Sequence, residues 1–281
     1  DDDLNLYSKD EITDRKNTIV VIFNHGQQDG QKKVERCNKG ASDVPEFVRN
    51  LHNKKVNDLT IKIYRMCSGV RGLNDPQMDR AHNMIVQDEN TNGLLEVIDY
   101  DGMRLFDKVK QHLRRQIVLD KIDELTKKNF SNIVLMGHSC GAFLSIYLTA
   151  HFPEIIKASI VANPACYGEN IKPRNIIGDK NTYSIWKALR DDWEQTISKF
   201  SKINSLAFIH DEDSYENSQT LSFLGKIDKF KMINYTDFGC EKMFGADFHI
   251  APVYPAKDNC FTKWEAKNNY VINYLEEAFE N

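Results

Sequence analysis

Ser131-Asn-Ile-Val-Leu-Met-Gly-His-Ser-Cys-Gly-Ala-Phe-Leu-Ser-Ile-Tyr-Leu148 is the stretch that decides the fold. Ile133 to Met136 are apolar without a break, as a strand buried on both faces requires. Ala142 to Leu148 is apolar all round and reads as a buried helix. Between them lies Gly137-His138-Ser139-Cys140-Gly141, a G-x-S-x-G pattern in the strand–turn–helix setting that gives it meaning. Such a turn forces the serine into a strained backbone conformation and lifts its hydroxyl above the sheet. Glycines two residues to either side let neighbouring backbone approach without a Cβ clash. The helix that follows aims its unpaired N–H groups at the point where an oxyanion would form. Ser139 is therefore a candidate nucleophile, and a glycine-lined turn without chemistry is the plainer alternative.

Upstream, Thr18 to Phe23 is a β-branched run that reads as a buried strand and passes into Asn24-His25-Gly26-Gln27-Gln28-Asp29-Gly30. Leu4 to Tyr7 reads as an edge strand. Val44, Phe47, Val48 and Leu51 keep helical spacing behind Pro45, which a first turn tolerates. Leu59 to Met66 alternates apolar and polar residues, as a strand with one less buried face does. A polar excursion over 67–100 precedes a helix expected from Met103 to Lys128, with Phe106, Val109, Leu113, Ile117, Ile122 and Leu125 on one stripe. Downstream, strands are expected at Ala158–Ala162, Ile203–His210 and Phe230–Tyr235. Helices are expected at Tyr183–Phe200, 216–225 and Phe261–Phe279. No repeat, low-complexity tract or linker divides the chain, so residues 1–281 read as a single domain.

Composition narrows the field. A chain of 281 residues with 41% hydrophobic and 28% charged residues is ordinary for a globular protein with a substantial core. The net charge of −4 argues against nucleic acid or an anionic membrane as partner. No apolar run approaches the roughly 20 residues of a membrane span. The sequence opens on Asp-Asp-Asp-Leu rather than Met or a signal peptide, which fits either a cleaved secretory signal or a boundary chosen for expression.

Six cysteines occupy 37, 67, 140, 166, 240 and 260, none in a C-x-x-C pair, so no structural zinc site is expected. Cys37 and Cys67 flank one strand, and Cys240 and Cys260 flank the loop carrying His249. That placement suits disulfides Cys37–Cys67 and Cys240–Cys260 and a periplasmic or secreted protein; six reduced thiols in a cytoplasmic protein are the alternative. Asp29, Asp75, Asp79 and Asp88 match no cation loop and read as solvated carboxylates. No cofactor or metal is implied. His25 and His138 read first as turn-shaping residues, Cys140 as a packed or N–H-donating one, and Trp186 and Trp193 as helix packing.

Strands alternating with helices give an α/β chain: a mostly parallel sheet with helices on both faces and functional loops beyond the carboxyl ends of the strands. Those ends carry His25-Gly26, Ser139, the Asp211/Asp213 pair and the loop with His249. The order serine, acid, histidine, together with the motifs quoted, resembles the α/β-hydrolase superfamily of esterases, lipases and serine peptidases over about residues 18–279. The resemblance implies Ser139 as nucleophile, His249 as general base and Asp213 as the carboxylate that orients it. It implies an oxyanion hole from the backbone N–H groups of Gln27 and Cys140, and a cap insertion over 167–204. Where the family commonly has glycine after the strand, this chain has Asp211-Glu212-Asp213, so Asp211 remains open as the acid beside the preferred Asp213. His249 is the only histidine after His210. The function expected is a metal-independent serine hydrolase cleaving an ester, thioester or amide through an acyl-enzyme, on a small-molecule or peptide acyl substrate. A non-catalytic binding protein on the same scaffold is the alternative.

Overall fold

The computed structural model describes residues 4–6, 12–26, 44–66, 115, 118–166, 190–236, 248–254 and 259–280. Strand β1 (Leu4–Leu6) is followed by β2 (Thr18–Asn24), whose β-branched residues are buried throughout. Helix α1 (Glu46–Arg49) starts behind Pro45 and sets Phe47 and Val48 inward. A two-residue strand, β3 (Lys55–Val56), hairpins onto β4 (Leu59–Met66). Helix α2 covers 118–127. Then come β5 (Asn132–His138), α3 (Cys140–His151) and β6 (Ile156–Ala162). Helix α4 covers 190–197. Strands β7 (Lys202–Ile209) and β8 (Asp228–Asn234) complete the sheet. Helices α5 (Cys260–Asn268) and α6 (Tyr270–Ala278) end the described chain.

The strands form one sheet in the order β1-β4-β2-β5-β6-β7-β8, with β3 paired to β4 off that path. Every pair from β4 to β8 along the path is parallel, and β1 and β3 are antiparallel to β4. The chain moves from β2 outward to β4 and returns to the other side of β2 as β5. The order therefore reverses between β2 and β5, and the crevice beyond their carboxyl ends is where such sheets place their ligands.

The period-two alternation of the strands sorts the core into layers. Ile19, Val21, Phe23, Val134, Met136, Ile160, Leu206 and Phe208 pack with Phe47, Phe261, Val271 and Leu275 on one face. Val20, Ile22, Ile133 and Leu135 pack with Val118, Ile122 and Leu125 of α2 on the other. Helix α3 has no polar face, because it lies between that layer and a second cluster made with Trp193, Ile197 and Leu224. Among the described residues no helix is long and apolar enough to cross a membrane.

Two elements differ from the sequence expectation. Residues 216–225 form turns and one 3-10 segment (Leu224–Lys226) rather than a short helix. Asn217 explains this: its Oδ1 accepts N–H groups from Gln219 and Thr220, which closes turns in place of helical bonds. The helix expected over 261–279 is two helices, broken where Asn269 takes φ 52°, ψ 33°. The buried Glu265 carboxylate caps the second of them by accepting the Val271 N–H at 3.0 Å, and burial raises its pKa above the usual carboxylate range. The expected 103–128 and 183–200 helices are described only at 115, over 118–127 and over 190–197.

Candidate active site

Ser139 sits between the last residue of β5 and the first of α3 with φ 54° and ψ −124°, a region a non-glycine residue occupies only when its surroundings compel it. The compulsion comes from close backbone packing. A Cβ on Gly137 would lie 2.4 Å from the Gly141 carbonyl oxygen, and one on Gly141 would lie 2.0 Å from that of Asn24. The two glycines thus let the turn close and let α3 dock against the end of β2. The strained serine is buried, with its hydroxyl at the reversal point of the sheet.

Two side chains from distant loops reach that hydroxyl in series. Nε2 of His249, in a 3-10 segment (Phe248–Val253), is 2.9 Å from Ser139 Oγ. Its Nδ1 is 2.8 Å from Asp213 Oδ2. The Asp213 side chain is fully buried, and its other oxygen accepts the N–H groups of Tyr215 at 2.8 Å and Glu216 at 3.4 Å. With one carboxylate oxygen committed to the backbone, Oδ2 faces the ring, and the Nδ1 proton belongs on that side. Nε2 is then the bare acceptor of the neutral imidazole. The Tyr215 ring lies against the imidazole with centroids 4.5 Å apart.

Asp211 goes elsewhere. Its carboxylate, near the surface, accepts the Ser218 hydroxyl and, at 2.7 Å, the Asn234 amide of β8. The Ser218 bond chiefly holds its pKa below the usual carboxylate value. Of the two acids left open by the sequence, the geometry brings Asp213 to His249 and leaves Asp211 tied to its neighbouring strand.

His138 is buried beneath the site. Its Nε2 is 2.7 Å from the backbone oxygen of His249, an atom that only accepts, so Nε2 carries the proton. Burial, and then the neighbouring His249, push its pKa down to about 3, so the ring is neutral. His25 is also buried, with Nδ1 2.7 Å from the Gly26 carbonyl oxygen.

Several groups at the site escaped sequence reasoning. Cys140 and Cys166 form a disulfide with Cα atoms 4.0 Å apart. This corrects the reading of Cys140 as simply a packed or N–H-donating residue: its side chain is bonded to the loop after β6. The signal available was that both cysteines lie just beyond the ends of adjacent buried strands. Next to Cys166, the carbonyl of Ala165 lies 2.8 Å from Ser139 Oγ and is a second acceptor for the serine proton. Asn163, the residue after β6, takes φ 44°, a conformation asparagine tolerates better than most residues.

The expected pair Cys37–Cys67 and the residues Cys240 and Gln27 lie outside the described residues. So does Trp186, with most of the expected insertion over 167–204. Cys260 is disulfide-bonded. From the described end of that insertion, Arg190 enters the core. It is almost wholly buried and pairs with Glu216 at 2.5 Å, with Glu194 at 2.7 Å and with the Thr220 carbonyl at 3.0 Å. Burial alone would lower its pKa, but the two carboxylates more than offset this and raise it. Trp193 of the same helix stacks flat on Phe143 of α3, with centroids 3.7 Å apart. Among the described residues no cluster of histidine, cysteine and carboxylate side chains could hold a metal ion.

No family model matches the sequence, and no match is found among curated proteins. Solved structures do match. Est1E from Butyrivibrio proteoclasticus, with ferulic acid bound, superposes with a TM-score of 0.53 at 15% identity, covering 97% of this chain and 95% of Est1E. TT1662 from Thermus thermophilus gives a TM-score of 0.47 at 11% identity over 95% of this chain and 91% of its own. The esterase Pf2001 from Pyrococcus furiosus gives 0.46 at 13% identity over 93% of this chain and 83% of its own. With its strand order and elbow, the chain has the α/β-hydrolase fold.

Proposed function

We propose that the protein is a metal-independent serine hydrolase acting on an ester, thioester or amide. The observation that carries this reading is the unbroken chain of contacts Ser139–His249–Asp213, at 2.9 and 2.8 Å, on a strained elbow. Ser139 Oγ attacks the acyl carbonyl while His249 Nε2 takes its proton. Asp213 holds the Nδ1 proton and stabilises the imidazolium. The imidazolium then protonates the leaving group, and water regenerates the serine by the same path. The backbone N–H groups of Cys140 and Gln27 receive the oxyanion, each such donor being worth ~3–4 kcal/mol in the transition state. The cap proposed over 167–204 is described only from residue 190, where the burial of Arg190 against Glu216 beside the acid loop supports it. The Cys140–Cys166 bridge supports a periplasmic or secreted location, because disulfides persist in oxidising compartments.

The test is covalent labelling. A fluorophosphonate probe should label the wild-type protein at Ser139 and leave Ser139→Ala unlabelled, with thermal transitions that nearly coincide. Labelling of the alanine variant would move the nucleophile elsewhere, and a wild-type protein that resists the probe would be a binding protein on this scaffold. EDTA should leave turnover unchanged. Acyl chains of increasing length, methyl ferulate (chosen because Est1E holds ferulic acid) and a peptide anilide would then separate the bond types.

A further inference from the structure

The two ring nitrogens of His249 are held by Asp213 and Ser139, but those bonds fix only the rotation of the ring. Something else must place its main chain, and the structure offers two donors for one atom. The backbone oxygen of His249 receives His138 Nε2–H at 2.7 Å and lies within hydrogen-bond reach of the Asn163 amide, 3.0 Å from its Nδ2. The same two amide protons also face the Phe248 carbonyl at 2.8 Å and the Tyr235 hydroxyl oxygen at 2.7 Å, and Asn163 Oδ1 accepts the Tyr235 hydroxyl at 3.0 Å. Asn163 is itself fixed, since its own N–H donates to the Phe208 carbonyl of β7 at 2.8 Å. All of these groups are buried. We infer that His138 and Asn163 are positioning residues whose N–H groups converge on the His249 carbonyl and hold its imidazole in line with Ser139 Oγ.

The argument turns on where the clamp is anchored. His138 is the residue before Ser139, so the path from nucleophile to base runs through one peptide unit and one hydrogen bond. Movement of the elbow carries the base with it. If His138 merely filled space, an apolar side chain of similar volume would serve. That replacement would leave the His249 carbonyl with one donor fewer and let the 248–253 segment shift. A displacement of about 1 Å in such a geometry costs roughly 100-fold in rate.

This inference rests on the serine-hydrolase reading, and its experiment separates the two. His138→Leu removes the donor, His138→Gln retains an N–H at nearly the same place, and Asn163→Ala removes the second donor. For His138→Leu and Asn163→Ala, kcat on an activated ester should fall by roughly 10–100-fold with KM nearly unchanged. His138→Gln should recover most of the loss. The low-field proton resonance of the His249–Asp213 bond should broaden or vanish in the first two variants and persist in the third. Wild-type kcat in folded His138→Leu or Asn163→Ala overturns the clamp, as does a glutamine variant no better than leucine. If His138→Leu fails to fold, Asn163→Ala decides by itself. The resonance reads the clamp even where no ester is turned over. Its survival in both loss variants overturns the clamp, whereas a wild-type protein that shows it but resists fluorophosphonate overturns only the hydrolase reading.

Discussion

The elbow at 137–141 and the segment 248–253 meet at two hydrogen bonds, Ser139 to the His249 ring and His138 to the His249 carbonyl, but are held by different means. The elbow is determined locally. Two missing Cβ atoms and the direct passage from strand to helix leave Ser139 no other conformation. The 248–253 segment contains Pro252 and borrows its position from β5, β6 and the acid loop. The difference teaches that a strained serine turn can be shaped mainly by one short peptide, while the histidine that meets it is held by several strands and loops. Substitutions of the elbow glycines should act on folding, and substitutions around the second should act on rate.

The largest expected effect lies on the histidine side. In Asp213→Asn the oxygen will keep the Tyr215 and Glu216 N–H groups, so the amide NH2 faces His249 Nδ1. The imidazole must then carry its proton on Nε2 and can no longer accept from Ser139. Turnover should fall by ~10⁴-fold with the fold intact, and Asp211→Asn should change it little. Steady-state kinetics of the two variants side by side check this, and the reverse ranking would transfer the role to Asp211.

On the local side, Gly141→Ala should cost the fold rather than the rate. Its Cβ would meet backbone at 2.0 Å, which no side-chain adjustment relieves. We expect a loss on the order of 4 kcal/mol or more, seen as little folded protein or a sharply lowered midpoint in urea. A folded, slow enzyme would show that the elbow tolerates displacement after all. Replacing both Cys140 and Cys166 by alanine removes a bridge across a sequence separation of 26. The chain-entropy model puts its worth at about 3 kcal/mol, which denaturant unfolding under non-reducing conditions would read. If rate falls more than stability, the bridge belongs with the elements that deliver the base.

The smallest effect sharpens the comparison through pH. The His138 pKa is depressed to about 3 in the folded protein. As pH falls below the unfolded value near 6.5, the unfolded chain binds a proton that the folded chain refuses, so stability declines through that window until about pH 3. Between pH 7 and pH 5 this amounts to about 2 kcal/mol. His138→Gln lacks the group, so its own loss over the same interval should be smaller by that amount in urea titrations at the two pH values. Equal losses would mean that His138 charges freely and does not sit neutral beneath the base.

The elbow was legible in the sequence because its determinants are contiguous: an apolar strand, two glycines and an apolar helix. The sheet strands were legible for the same reason. Asn163 was not, since its partners lie 72, 85 and 86 residues away and nothing near Asn163-Pro164 announces them. The Cys140–Cys166 bridge is not legible in the sequence, because it depends on β5 and β6 being parallel neighbours whose ends lie at the same edge. Asn217 and Asn269 altered two helices through a side-chain bond and a left-handed turn, effects that the hydrophobic pattern does not carry.

The Arg190–Glu216 pair has a consequence for anyone who would re-engineer the molecule. Glu216 lends its N–H to Asp213 and its carboxylate to Arg190, so α4 and the acid share one buried fixture. Removing Arg190 would take from the buried Glu216 carboxylate the cation it pairs with, at a cost of roughly 3–5 kcal/mol. Helix α4 is therefore not an interchangeable module. A chimera that imports a foreign segment at 190–197 must bring a compatible partner for residue 216, or it will arrive with its acid displaced.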